Sequence, residues 1–193
     1  MTCVIGALTK NDGIVLASDS YVEDGTTKTL DYEGKLWSNG NYILGASGTV
    51  RVIQVIKYFF DLPEFRDYHK DNIEKFVVKE IVPVLKEVLR ENEILETNKK
   101  IISFDAEILI GWEDNICSIG GDFCVTIPPS KRIATGSGIA QSLGSLDNKK
   151  NNWTKRDIVR AVESANLTAI GVGGSIYTIS TKNPKVEIFD INV

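Results

Sequence analysis

Histidine is almost missing from this chain: His69 is the only one in 193 residues. A Ser-His-Asp or Cys-His relay would have to be built on it, and it sits in DLPEFRDYHKDN, a polar connection where a solvated loop residue is expected. Cysteine is scarce as well. Cys3, Cys117 and Cys124 form no CxxC pair, so together with the single histidine they encode neither a zinc site nor a disulfide framework. Cysteines in apolar, β-like runs are expected in the core. No apolar run reaches the roughly 18 to 20 residues of a membrane-spanning helix, and MTCVIGALTKNDG lacks the basic region and small-residue cleavage site of a signal peptide, which points to a cytoplasmic protein. An excess of positive charge is also absent. The 22 Lys and Arg against 26 Asp and Glu leave a net charge of -4, with the basic residues scattered, so there is no stripe for nucleic acid or an anionic membrane.

What is present is an ordinary globular composition, 42% hydrophobic and 25% charged with sixteen glycines, and a length that fits one domain over residues 1–193. TCVIGALT and IVLASD read as strands around the turn NDG. TKTLDY, GKLWS and YILGA follow as further strands, and the first third reads as a β-meander. GTVRVIQVIKYFF and DNIEKFVVKEIVPVLKEVLRENEILE carry apolar residues at helical spacing, with Pro83 set to kink the second or cost it a hydrogen bond. FDAEILIGW, ICSIG, FCVTIPP and KRIATG return to strands. SGIAQSLGSLDN and WTKRDIVRAVESANLTAI read as helices, the latter opening on a capping box from Thr154 to Asp157; SIYTIST and KVEIFDI close the chain. Helices grouped between strand pairs, without βαβ alternation, predict an α+β protein: two antiparallel sheets packed face to face and covered by helices, a four-layer α-β-β-α sandwich.

The chemistry starts at the amino end. Loss of Met1 would leave a threonine with an α-amine and a hydroxyl on one residue. A hydroxyl is a poor nucleophile alone, but an α-amine with a pKa near 7.7 to 8 accepts its proton at neutral pH. Such a base calls for a cation to hold its pKa near the working pH, and a carboxylate to hold the cation. Asp19, at the end of the second strand, and Lys35, at the start of the fourth, are the candidates, because a meander brings neighbouring strand ends together.

TCVIGALTKNDGIVLASDS followed by EGKLW, ILGASG and then ATGSG before a helix resembles the proteasome β-subunit family of N-terminal nucleophile (Ntn) hydrolases, with MTC and ASDS closest to its smaller bacterial and phage branch. The element order agrees over nearly the whole chain. The resemblance implies a threonine-type peptidase or amidohydrolase with Thr2 as nucleophile and Lys35 tuning it. It further implies that Asp19 holds Lys35, the Gly45 N–H forms the oxyanion hole, and Ser137 assists the amine. It implies no metal or organic cofactor, a peptide or protein substrate and a ring-type homo-oligomer, and leaves room for an ATP-dependent unfoldase as partner. One departure is plain. Where active members carry an Asp and, after it, a Ser near a glycine pair, NLTAIGVGG places Ala169 and Val172, and a catalytically silent scaffold or ring component is the alternative. The residues also have structural readings: Asp19 with Lys35 as a buried ion pair, Ser137 as a helix N-cap, Gly45 and Gly48 as a tight turn, Tyr58, Phe59 and Phe60 as helix packing or a subunit contact.

Overall fold

The computed structural model describes residues 2–23, 26–29, 32–98, 101–147 and 152–189. Met1 and the strand ends read at 30–31 and 190–191 lie outside the described residues. In chain order the elements are β1 (Cys3–Thr9), β2 (Gly13–Asp19), β3 (Val22–Glu23), β4 (Lys28–Thr29), a 3-10 turn (Glu33–Lys35), β5 (Leu36–Asn39), β6 (Tyr42–Gly48) and α1 (Val50–Phe59). Then come α2 (Ile73–Phe76), a π-turn (Val77–Ile81), α3 (Val82–Glu91), β7 (Glu96–Asn98), β8 (Ile101–Ser103), β9 (Ala106–Trp112), β10 (Asn115–Ile119), β11 (Val125–Thr126) and β12 (Arg132–Gly136). Helices α4 (Ile139–Leu146) and α5 (Lys155–Thr168) precede β13 (Ile176–Ser180) and β14 (Glu187–Phe189).

Two five-stranded antiparallel sheets form the centre, ordered β12-β1-β2-β13-β14 and β11-β10-β9-β6-β5. Each is buried on both faces, which is why CVIGALT and GIVLASD are continuous apolar runs instead of alternating ones. Cys3, Ile5, Ala7, Val15 and Ala17 pack towards α4 and α5. Their alternates Val4, Ile14 and Leu16 meet Ile43, Leu109 and Ile116 between the sheets. Leu44, Ala46, Ile108 and Ile110 pack on the far side against Val52, Ile56, Leu85 and Leu89 of the other helices. Three apolar clusters between four layers, two of helix and two of sheet, make the α-β-β-α sandwich.

The first third departs from the meander. β1 and β2 lie in one sheet and β5 and β6 in the other, because the chain between 20 and 35 crosses the sandwich. FCVTIPP shortens to the two residues of β11. The long helix does change geometry at Pro83: the π-turn sits immediately before it, where the missing N–H leaves the preceding turn without its usual donor. The capping box of α5 forms as expected, with Thr154 N–H donating to Asp157 Oδ2 at 2.9 Å and Asp157 N–H to Thr154 Oγ1 at 3.4 Å. His69 is not a solvated loop residue. It is buried, Nδ1 accepting from Arg66 N–H at 3.0 Å, Nε2 facing Glu80 Oε1 at 3.0 Å and the ring stacked on Phe76 at 4.2 Å. With both nitrogens partnered, an imidazole can be buried without the cost of an orphan polar group. No helix among the described residues is long and apolar enough to cross a membrane.

Candidate active site

The β1–β2 hairpin sets the register that builds the site. Val4 pairs with Ser18, so the start of β1 runs beside the end of β2, and Asp19 Oδ1 accepts from Cys3 N–H at 2.8 Å. The same oxygen accepts from Lys35 Nζ at 2.8 Å, while Oδ2 accepts from Tyr21 N–H at 3.2 Å and Gly173 N–H at 3.1 Å. Asp19 and Lys35 are 0% and 2% exposed. They meet across the sandwich, Lys35 ending the 3-10 turn that leads into β5. Burial pulls the Lys35 ammonium below its ordinary 10.5, and the Asp19 charge works against that. Asp19 and the Tyr21 carbonyl, at 2.7 Å, take two of its three protons.

Thr2 is buried at the mouth of this pair. Its carbonyl accepts from Gly138 N–H at 3.3 Å and lies 3.3 Å from Ser137 Oγ. Ser137 is not the N-cap of α4; Gly138 occupies that position, and the Ser137 hydroxyl also faces the Ile170 carbonyl at 3.1 Å. Gly136, with φ +89°, passes so close that a Cβ there would lie 2.1 Å from Thr2 O. Thr2, Lys35, Gly48 and Ser137 line one cleft of about 520 Å³, together with Val22 and Tyr32. A cavity of similar size, about 580 Å³, opens at the opposite end among the turns at Gly13, Tyr42 and Glu113. Its one threonine, Thr181, has its hydroxyl spent on Ile14 N–H and the Glu113 carbonyl, so no activated nucleophile faces that space.

Gly45 does not belong to the cleft. It lies inside β6, paired with Leu36 and Leu109, and a Cβ on it would strike Val4 and Leu36 in the core. Thr49 N–H donates to Asp105 O at 2.9 Å, and antiparallel alternation then directs the N–H of Gly45 into the β9 ladder as well. Gly48 has the opposite parity. Its N–H falls on the β5 edge beyond the start of that strand, opposite the Glu33–Lys35 turn and on the cleft side. The two glycines of ILGASG are three residues apart, and that odd spacing is the signal that separates them.

Ala169 caps the end of α5 and packs with Val172 against the α4–α5 core, so neither brings a polar side chain to Thr2. Cys3, next to Thr2, is no rival nucleophile: burial pushes its thiol from 9.0 to about 12, and that of Cys117 likewise. Both thiols keep their protons in the folded state where an unfolded chain loses them. Their stabilisation is therefore complete below pH 9.0 and is lost as pH climbs to about 12, at about 1.4 kcal/mol per pH unit for each. Urea unfolding at stepped pH should show the decline, and Cys117→Ala should remove one thiol's share of the slope.

No family model matches the sequence, and no match is found among curated proteins. Solved structures do match. The Thiobacillus denitrificans protein BPH in complex with epoxomicin aligns with a TM-score of 0.72 at 18% identity, over 97% of this chain and 99% of that one. The Anbu (Gly-1) mutant from Hyphomicrobium sp. strain MC1 aligns at 0.70 and 11% identity, over 100% and 88%. Eukaryotic HslV from Trypanosoma brucei aligns at 0.61 and 16%, over 92% and 99%. The chain has the sandwich fold of proteasome-type Ntn hydrolases.

Proposed function

We propose, from that shared fold and the buried Lys35–Asp19 pair beside Thr2, that this protein is a threonine-type N-terminal nucleophile hydrolase of peptide or amide bonds. The single observation that carries the reading is Thr2 in one cleft with Lys35, its ammonium fixed by Asp19 at 2.8 Å and without a histidine nearby. With Met1 removed, the α-amine of Thr2 takes the hydroxyl proton as Oγ attacks the carbonyl carbon. Lys35 holds the amine's pKa down and stabilises negative charge developing on Oγ. The Gly48 N–H, in place of Gly45, donates to the oxyanion. Collapse breaks the C–N bond, the departing amine takes the proton from the α-ammonium, and an acyl ester remains on Thr2. Water, deprotonated by the same amine, clears it. Ser137 orients the Thr2 carbonyl, no metal or organic cofactor takes part, and a peptide or protein is the substrate. Tyr58 and Phe59, exposed on α1 while Phe60 is buried, suit contact with a second copy in a homo-oligomer.

Ala169 and Val172 favour a second reading, a silent scaffold with the same fold. Intact-mass measurement with epoxomicin separates the two. Protein purified from its native host should lack Met1 and gain one epoxomicin adduct, which a Thr2→Ala variant should not take up. Retention of Met1 with no adduct would leave the scaffold reading standing.

A further inference from the structure

Beside the Lys35–Asp19 pair, a second polar chain reaches the cleft from the other sheet face. Thr135 Oγ1 donates to Glu107 Oε2 at 2.6 Å, and Ser47 Oγ lies 2.6 Å from the same Thr135 oxygen. A hydroxyl has one proton. Thr135 spends its proton on the carboxylate, so the Ser47 hydroxyl must be the donor to Thr135, and Ser47 is left with only lone pairs for any other partner. Ser47 lines the cleft with Thr2. The two are close: the point where a Gly136 Cβ would sit is 2.1 Å from Thr2 O and 3.4 Å from Ser47 Cβ. Thr135 is fully buried and Ser47 nearly so, so the chain sits where an acceptor backed by a carboxylate is only weakly screened.

We propose that Ser47 Oγ accepts a hydrogen bond from the α-ammonium of Thr2, and that Glu107, acting through Thr135, is the positioning carboxylate that holds Ser47 in that orientation. This rests on the reading of Thr2 as a terminal nucleophile and fills the role that Ala169 and Val172 vacate. An acceptor on this side favours the protonated amine, opposing Lys35, and the balance of the two sets the pKa of the base. The other titratable side chains at the cleft are Lys35 with Asp19 behind it, Glu23, Tyr32, Asp105 and the buried Cys3 thiol; all stay in place when the Ser47 chain is altered.

The test reads the amine directly, whether or not the protein turns over. Protein with Thr2 at its terminus, released from a cleavable N-terminal fusion, is labelled with trace acetic anhydride over a pH series, and the Thr2 peptide is followed by mass spectrometry. Glu107→Gln and Ser47→Ala should each lower the α-amine pKa by about 0.5 to 1 unit. Thr135→Val should do the same by cutting the chain, while Lys35→Met should raise it. An unchanged pKa in Ser47→Ala overturns the proposal, even if Glu107→Gln shifts it, because the carboxylate would then act without Ser47. A pKa that shifts as expected in a protein that takes no epoxomicin sinks the hydrolase reading alone.

Discussion

Asp19→Ala is expected to be the most destabilising substitution at the site, costing about 3 to 5 kcal/mol in urea unfolding at neutral pH. Lys35 would keep only the Tyr21 carbonyl for a buried ammonium, and two backbone donors, Cys3 and Gly173 N–H, would lose their acceptor together, while Tyr21 N–H would keep the Gly173 carbonyl at 3.1 Å. Asp19→Asn should recover little of this. Each carboxylate oxygen faces only donors, Cys3 N–H and Lys35 on one side and Tyr21 and Gly173 N–H on the other. An amide must therefore turn its NH2 against one of these pairs.

Lys35→Met should cost clearly less than Asp19→Ala, because the remaining carboxylate still accepts three N–H bonds and is not left without partners. A Lys35→Met variant as unstable as Asp19→Ala would overturn this account of where the stability lies. Activity should not follow the same order. Burial already pulls Lys35 towards the neutral form and Asp19 opposes it, so Lys35→Met removes the cation and Asp19→Ala leaves it without the carboxylate that fixes its position. Epoxomicin labelling of Thr2 should be lost in both variants despite their different stabilities.

The parts of this site that are legible in the sequence are those written locally. The β1–β2 hairpin follows from two apolar runs around NDG, and it alone places Cys3 N–H against Asp19. The α5 capping box needs only Thr154 and Asp157 three residues apart. Lys35 is identified correctly as the partner of Asp19 but for the wrong geometric reason: the expected meander would bring the two strand ends together within one sheet, whereas they meet across the sandwich. Gly45 and Gly48 differ in parity, and period-two alternation decides which of them turns its N–H away from the β9 ladder, which requires knowing the ladder partner. His69 reads as solvated because its neighbours in sequence are polar; its real neighbours, Phe76 and Glu80, come from the next helix. The Ser47, Thr135 and Glu107 chain leaves no local trace, its members being 28 and 88 positions apart in the two contacts that join them.

Gly136→Ala should abolish labelling of Thr2 with only a moderate loss of stability, unlike Asp19→Ala, which loses both. Gly136 has φ +89°, which costs an L side chain about 1 to 3 kcal/mol, and pairs with Cys3 at the end of β12. The added Cβ would fall 2.1 Å from Thr2 O and 2.8 Å from Thr2 C. Both are backbone atoms, so no rotamer change can relieve the clash, and Thr2 itself has to move. A displacement of about 1 Å in a reacting group is worth about 100-fold in rate, so the labelling rate with epoxomicin should fall by at least that factor. Gly144→Ala is the matched control. It lies within α4 with nothing within 4 Å of the added carbon, and alanine is the better helix former there by about 0.5 to 1 kcal/mol. Its melting temperature should hold or rise and its labelling rate should match the wild type. If Gly136→Ala labels at the wild-type rate, the position of Thr2 does not depend on the close passage of β12.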